Sequence, residues 1–102
     1  MDTGFGKQPY EELTIDADFS RTMVVGSETI ISQTVTAEDR NGDDVTGSIV
    51  EAGTVTNDGA TKVLAFIKGG SRSGSPYKIT FRCVTSAGHK WELDVLMEII
   101  DG

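Results

Sequence analysis

Hydrophobic and polar positions alternate with a period of two along most of this chain, most clearly in YKITFRCVTSAGHKWELDVLMEI, residues 77–99. Tyr77, Ile79, Phe81 and Cys83 fall on one face of a first strand, and Trp91, Leu93, Val95, Met97 and Ile99 on one face of a second. All are odd-numbered, so the connection must hold an odd number of residues if both rows are to meet one core. Ser86-Ala87-Gly88 satisfies that parity as a type I turn closed by a left-handed bulge at Gly88. The predicted cross-strand pairs are then Cys83 with Trp91, Phe81 with Leu93, Ile79 with Val95, and Tyr77 with Met97. A shorter Ala87-Gly88 turn would set Glu92 opposite Cys83 and reverse one face, so it is the disfavoured register. Burying each large apolar side chain is worth roughly 1.5–3 kcal/mol, which makes this hairpin a major part of the predicted core.

Upstream the same period recurs, and no stretch has the 3.6-residue spacing of an amphipathic helix. LTIDADF (13–19) turns Leu13, Ile15, Ala17 and Phe19 to one face; RTMVVGSE then bends, and TIISQTVTAE (29–38) reads as a long β-branched strand. DRNGDD (39–44) is a turn by composition, VTGSIV (45–50) and GTVTN (53–57) read as short strands, and NDG (57–59) turns the chain into the strand TKVLAFIK (61–68). GGSRSGS (69–75) reads as a flexible loop whose glycines let the chain cross between two sheets. Residues 1–11, with two glycines, one proline and few anchors, read as a flexible N-terminal arm ahead of a single domain over 12–102. About seven short strands at even spacing predict an all-β, immunoglobulin-like antiparallel β-sandwich.

Length and charge narrow the function. A chain of 102 residues and 10.9 kDa leaves no room for a second core. No window approaches the ~20 apolar residues of a membrane span, and MDTGFGKQPYEEL lacks the basic-then-apolar pattern of a secretory signal. A single cysteine excludes an internal disulfide and a multi-cysteine zinc site, in keeping with synthesis in a reducing cytoplasm. A net charge of −7 argues against nucleic acid as a partner. That charge is unevenly placed: residues 1–60 carry twelve carboxylates against three cations, and residues 61–102 carry four against six. Such polarity could steer head-to-tail packing of identical subunits, or be a chance asymmetry of a solvated surface.

The residues capable of chemistry are scattered. Cys83 lies on the inward row with no basic neighbour to lower its pKa, which marks core rather than a reactive thiol. His89 stands at the hairpin tip without clustered ligands or a nucleophile to serve. DRNGDD superficially resembles a calcium loop, but Gly42 falls at position 4 instead of 6, no Glu closes the loop and strands flank it. GGSRSGS lacks the Gly-Lys-Ser/Thr ending of a phosphate loop, and the adjacent pairs Glu11-Glu12 and Asp43-Asp44 do not form an acid–base couple. No catalytic residue, cofactor or metal is expected. What stands out is apolar surface. With Val63, Ala65 and Ile67 inward, Leu64 and Phe66 point outward, as do Val84, Leu96 and Ile100, and together they are the candidate interface.

Several short stretches carry a family resemblance: Asp18-Phe19-Ser20; Gly26 leading to Thr29-Ile30; Gly69-Gly70; Tyr77, Ile79 and Thr80; and Thr85, Gly88 and Glu92. Over residues 16–100 the chain resembles the small phage virion proteins of the immunoglobulin-like fibre–tail adaptor or head–tail-associated type. It departs from them in placing Thr22-Met23 where such chains often carry tryptophan, and in a longer middle segment. The resemblance implies a non-enzymatic structural protein of a phage or prophage, made in the host bacterial cytoplasm and built into the virion. Its expected partners are other tail, head–tail or fibre proteins, and copies of itself. The rival reading is an immunoglobulin-like adhesion or carbohydrate-binding module using loops 39–44 and 69–75, and an enzyme ranks last.

Overall fold

The computed structural model describes residues 3–23 and 28–100, among which lie seven strands and one helical turn. These are β1 (Thr3–Lys7), β2 (Leu13–Asp18), β3 (Ile30–Glu38), α1 (Thr46–Ile49), β4 (Thr56–Asn57), β5 (Lys62–Ile67), β6 (Tyr77–Thr85) and β7 (Lys90–Ile99). They form a β-sandwich with a four-stranded sheet in the order β1-β7-β6-β3 and a three-stranded sheet in the order β2-β5-β4. Along the described strands the chain changes sheet four times, the last between β5 and β6 through the glycine-rich loop.

The β6–β7 hairpin has the predicted register, with Cys83 opposite Trp91, Phe81 opposite Leu93, Ile79 opposite Val95 and Tyr77 opposite Met97. At its tip the Gly88 N–H donates to the Thr85 carbonyl at 2.9 Å, and the Thr85 N–H donates to the His89 carbonyl at 2.9 Å. Gly88 has φ of 82°, the left-handed conformation that closes a three-residue loop and preserves the face of both strands. Tyr77, Ile79, Phe81, Cys83, Val95 and Met97 are buried, while Trp91 and Leu93 are partly buried and pack against the same core. Across the sandwich, Val63, Ala65 and Ile67 of the central strand β5 are fully covered.

Two segments differ from the sequence reading. Thr3–Lys7, expected within a flexible arm, instead pairs in parallel with β7, from Thr3 beside Val95 to Lys7 beside Ile99. Its single apolar anchor, Phe5, packs against the core, and Lys7 is buried with Nζ donating to the Gln8 and Pro9 carbonyls at 2.8 and 3.2 Å. Burial lowers the Lys7 pKa, while Glu11 and Glu12 oppose that shift. Two glycines hide such a strand from propensity reasoning, because its stability comes from an already formed neighbour. The second difference is VTGSIV, where residues 46–49 form a helical turn instead of a strand. Asp44 Oδ1 accepts from both the backbone N–H and the hydroxyl of Thr46, at 3.0 and 2.6 Å, and this local side-chain-to-backbone turn outcompetes extended pairing. The turn still buries Ile49 and Val50, and its Thr46 hydroxyl accepts from the Ala37 N–H, covering one end of edge strand β3. GTVTN contributes only the two paired residues of β4. The bend at residues 24–27, with Gly26, lies outside the described residues.

Gly70 and Gly88 both have positive φ but differ in surroundings. A Cβ at Gly70 would lie 2.7 Å from Ile99 Cδ1, whereas one at Gly88 would meet nothing within 4 Å. Gly88→Ala should therefore cost about 1 kcal/mol through backbone strain alone. Gly70→Ala should cost clearly more, about 2–4 kcal/mol, because strain and core overpacking add. Urea unfolding of the two variants measures the difference.

The NDG turn sets a second expectation. Asp58 Oδ1 accepts from the N–H groups of Lys62 and Ala60 at 3.0 and 2.9 Å, and these bonds hold its carboxyl below the ordinary value of 3.8. A carboxylate depressed by folding stabilises the native state above its unfolded pKa, and that contribution is lost as pH falls through the folded value. The acid limb of stability below about pH 4 should therefore be shallower in Asp58→Asn than in the parent, as read by thermal melts at pH 5, 4, 3 and 2.5.

Candidate functional site

The five outward apolar residues read from sequence lie on two opposite faces and do not form one patch. Leu64 and Phe66 stand on β5 in the three-stranded sheet, opposite Asp16 and Thr14 of β2. Both are half-buried, and the segment 51–54 runs beside Phe66, whose N–H donates to the Thr54 hydroxyl at 3.1 Å. Val84, Leu96 and Ile100 belong to the other sheet; Val84 is half-buried, whereas Leu96 and Ile100 are 43% and 47% exposed. Between Val84 and Leu96 the same face carries a polar ladder. Arg82 Nε lies 2.6 Å from Glu92, the Thr80 hydroxyl donates to Asp94 at 2.9 Å, and Lys78 lies 3.6 Å from Glu38. The Arg82–Glu92 and Lys78–Glu38 ion pairs are solvent-exposed, so they order the face more than they stabilise it.

Two exposed residues escaped the sequence reading. Tyr10 is 96% exposed on the turn between β1 and β2, and Ile31 is 62% exposed at the irregularity where β3 shifts register against β6. The signal for Ile31 is the doublet Ile30-Ile31, since adjacent residues of a strand face opposite ways. Tyr10 carried no periodic signal. Its turn is nonetheless ordered: Gln8 N–H donates to Glu11 Oε1 at 2.8 Å, Glu11 N–H donates to the Gln8 carbonyl at 3.1 Å, and the Lys7 ammonium binds two carbonyls of the same turn. A fully exposed aromatic ring on a braced turn suits a protein contact.

Beside this turn the sandwich is open along one flank. β1 and β2 are outermost strands of their sheets, and between them runs a mainly apolar groove of about 340 Å³ lined by Gly4, Phe5, Leu13, Ile15, Leu64 and Val95, to which Thr14 and Asp16 add polar groups. Phe5, Leu13, Ile15 and Leu64 are only half-buried there. Leu64 is thus the one predicted interface residue that reaches this groove.

The residues weighed for chemistry are engaged in structure. Cys83 is buried, and burial raises its thiol pKa, with the backbone bond from Trp91 opposing and the Glu28 charge adding to the rise. His89 does find a carboxylate: its Nδ1 lies 2.8 Å from Glu28 Oε1, and its ring stands edge-on to Trp91 with centroids 5.5 Å apart. Glu28 is 3% exposed and accepts from the buried Thr85 hydroxyl at 2.6 Å, with the Trp91 indole N–H more distant at 3.4 Å. No nucleophile is aimed at His89 within this group, and the arrangement ties the hairpin tip to the chain entering β3. In the acidic turn, Asp39 Oδ1 accepts from the N–H groups of Asn41 and Asp43 at 2.9 and 3.1 Å. Among the described residues no three His, Cys, Asp or Glu side chains gather around a metal position, and no helix is long and apolar enough to cross a membrane.

The comparison with protein families decides what kind of scaffold this is. The family model for the podophage GP4 fiber-tail adaptor protein gp77 matches residues 7–98. The chain belongs to this family. None of the curated proteins matches it. The matched segment runs from the last residue of β1 to the penultimate residue of β7, so it takes in both sheets, the Glu28 cluster, Tyr10 and most of the groove. This agrees with the resemblance carried by the strand and turn motifs, and it makes the chain a structural protein of the phage tail-adaptor type.

The Glu28 cluster has a measurable consequence. Glu28→Ala removes the acceptor of a hydroxyl that is 1% exposed at Thr85, a loss expected to cost about 1–3 kcal/mol. Glu28→Gln, which keeps an acceptor oxygen, should recover at least half of it. Urea titrations followed by Trp91 fluorescence would read both.

Proposed function

We propose that this protein is a non-enzymatic connector that joins phage tail and fibre components by surface complementarity, with no bond made or broken. Residues 7–98 match an adaptor family, and this is the observation that carries the reading. The physical support is a rigid sandwich with Tyr10, Leu96 and Ile100 exposed, and with its buried polar side chains partnered among the described residues. Its partners in this reading are tail and fibre proteins of the same virion, and its place of action is the assembled particle. Standard stable interfaces bury about 1,200–2,000 Å² in total, so a domain with 5,775 Å² of accessible surface commits a large share of it to one or two such contacts.

Co-expression with the tail and fibre proteins of the same phage, followed by size exclusion with light scattering, tests the reading. A stoichiometric complex with at least one of them is the expected result. Tyr10→Ala should weaken that complex by about tenfold or more while leaving the melting temperature unchanged, because the ring touches almost nothing of its own chain. A chain that binds no virion protein, or binds cell-wall glycans instead, removes the connector reading.

A further inference from the structure

Resting on the connector reading, we infer that the open seam between β1 and β2 receives an extended segment of the partner virion protein, apolar at every second residue and basic between. Four observations lead there. The groove is mainly apolar, with Phe5, Leu13 and Ile15 half-buried beneath it, Val95 at its floor, and Thr14 and Asp16 among its lining. Its two walls are outermost strands, whose outer edges pair with no further strand among the described residues. On β2 the Phe19 N–H donates to Thr61 at 2.9 Å, so the alternation of an antiparallel ladder turns the backbone groups of Thr14 and Asp16 away from β5 and toward an incoming strand. The rim is acidic: Asp16 and Asp18 are exposed on β2, and Glu11 and Glu12 are exposed just before it. The nearby cations are Lys62, 4.0 Å from Asp16, and the buried Lys7, whose charge Glu11 and Glu12 oppose.

The outer side of β1 favours the same occupant. Gly4 and Gly6 stand beside Leu96 and Ile100, where a Cβ would come within 3.1 Å of the Leu96 carbonyl and 3.3 Å of Ile100 Cδ1. The strand therefore presents bare backbone flanked by exposed apolar side chains, and a polypeptide can lie flat against it. Strands β1 and β2 are five and six residues long, which sets a segment of similar length. Alternation in the occupant follows from the period of a strand, with apolar side chains entering the groove and the intervening ones meeting the carboxylates. A negative rim around an apolar floor selects lysine or arginine at those intervening positions.

The test titrates the intact, ¹⁵N-labelled chain with a synthetic nonapeptide alternating lysine and valine. Two control peptides alternate glutamate with valine, or carry lysines and valines in separate blocks. The expected result is saturable shifts concentrated on the amides of Phe5, Thr14 and Asp16 with the first peptide and at least tenfold weaker binding of both controls. A double Glu12→Lys, Asp16→Lys variant, shown folded by an unchanged melt, should lose at least tenfold for the lysine peptide. Shifts centred elsewhere, or equal binding of the block peptide, overturn the inference. So does a chain that dimerises alone through this flank, since the occupant would then be a second copy. Capture of the virion partner at full strength by the charge-reversed variant and by Ile15→Thr also overturns it, while leaving the connector reading intact.

Discussion

The fold depends on one matter of parity. Central strands β6 and β7 bring Tyr77, Ile79, Phe81 and Cys83 and the odd residues of β7 onto the same side of the sheet only because the loop between them has three residues. A loop one residue shorter or longer, without a compensating bulge, would put Glu92 and Asp94 into the core. Gly88, at φ of 82°, makes the three-residue loop possible. Once this hairpin is fixed, β3 pairs along one side of it and β1 along the other, and β5 has an apolar floor to pack on. The Glu28 carboxylate reinforces the same place by fastening Thr85 and His89 on either side of the turn.

What the sequence made legible follows from where structure is specified locally. The final hairpin, β2, β3 and β5 could be read because alternation and turn residues agree over six or more positions. β1 could not, since its pattern holds one apolar anchor and its pairing is with residues some ninety positions away. The helical turn at 46–49 is not legible, because its two β-branched residues suggest a strand while Asp44 supplies a competing local hydrogen bond to Thr46. For the surface, direction was legible and grouping was not. Period two shows that Leu64 and Leu96 face outward, but only the strand order shows that they lie on different sheets and that a groove opens between β1 and β2.

The absence of a reading for Glu28 and Tyr10 has a common origin. Both sit in irregular segments, where side-chain direction depends on tertiary contacts that no local period encodes. The family match supplies what such positions lack, because it compares one long stretch, residues 7–98, with a family as a unit. It does not say which surface meets which partner, and that question falls back on geometry and charge.

Charge is where the chain's two halves finally make sense together. The carboxylate-rich first sixty residues form the edge strands β1, β2, β3 and β4, whereas the cation-bearing remainder forms the inner strands β5, β6 and β7. The asymmetry along the sequence thus becomes a lateral one in the fold, and much of it is answered within the molecule. Lys62 meets Asp16, Lys68 meets Glu51 at 2.9 Å and Lys78 meets Glu38, each pair joining a residue of the second half to one of the first. A head-to-tail polarity between copies is therefore not required to explain the charge distribution. After these pairings an excess of carboxylates remains, and at the β2 edge Glu11, Glu12 and Asp18 border a flank where apolar side chains lie open between the sheets. Charge repels a second copy presenting the same flank, so the arrangement disfavours self-pairing there and favours a partner of opposite charge.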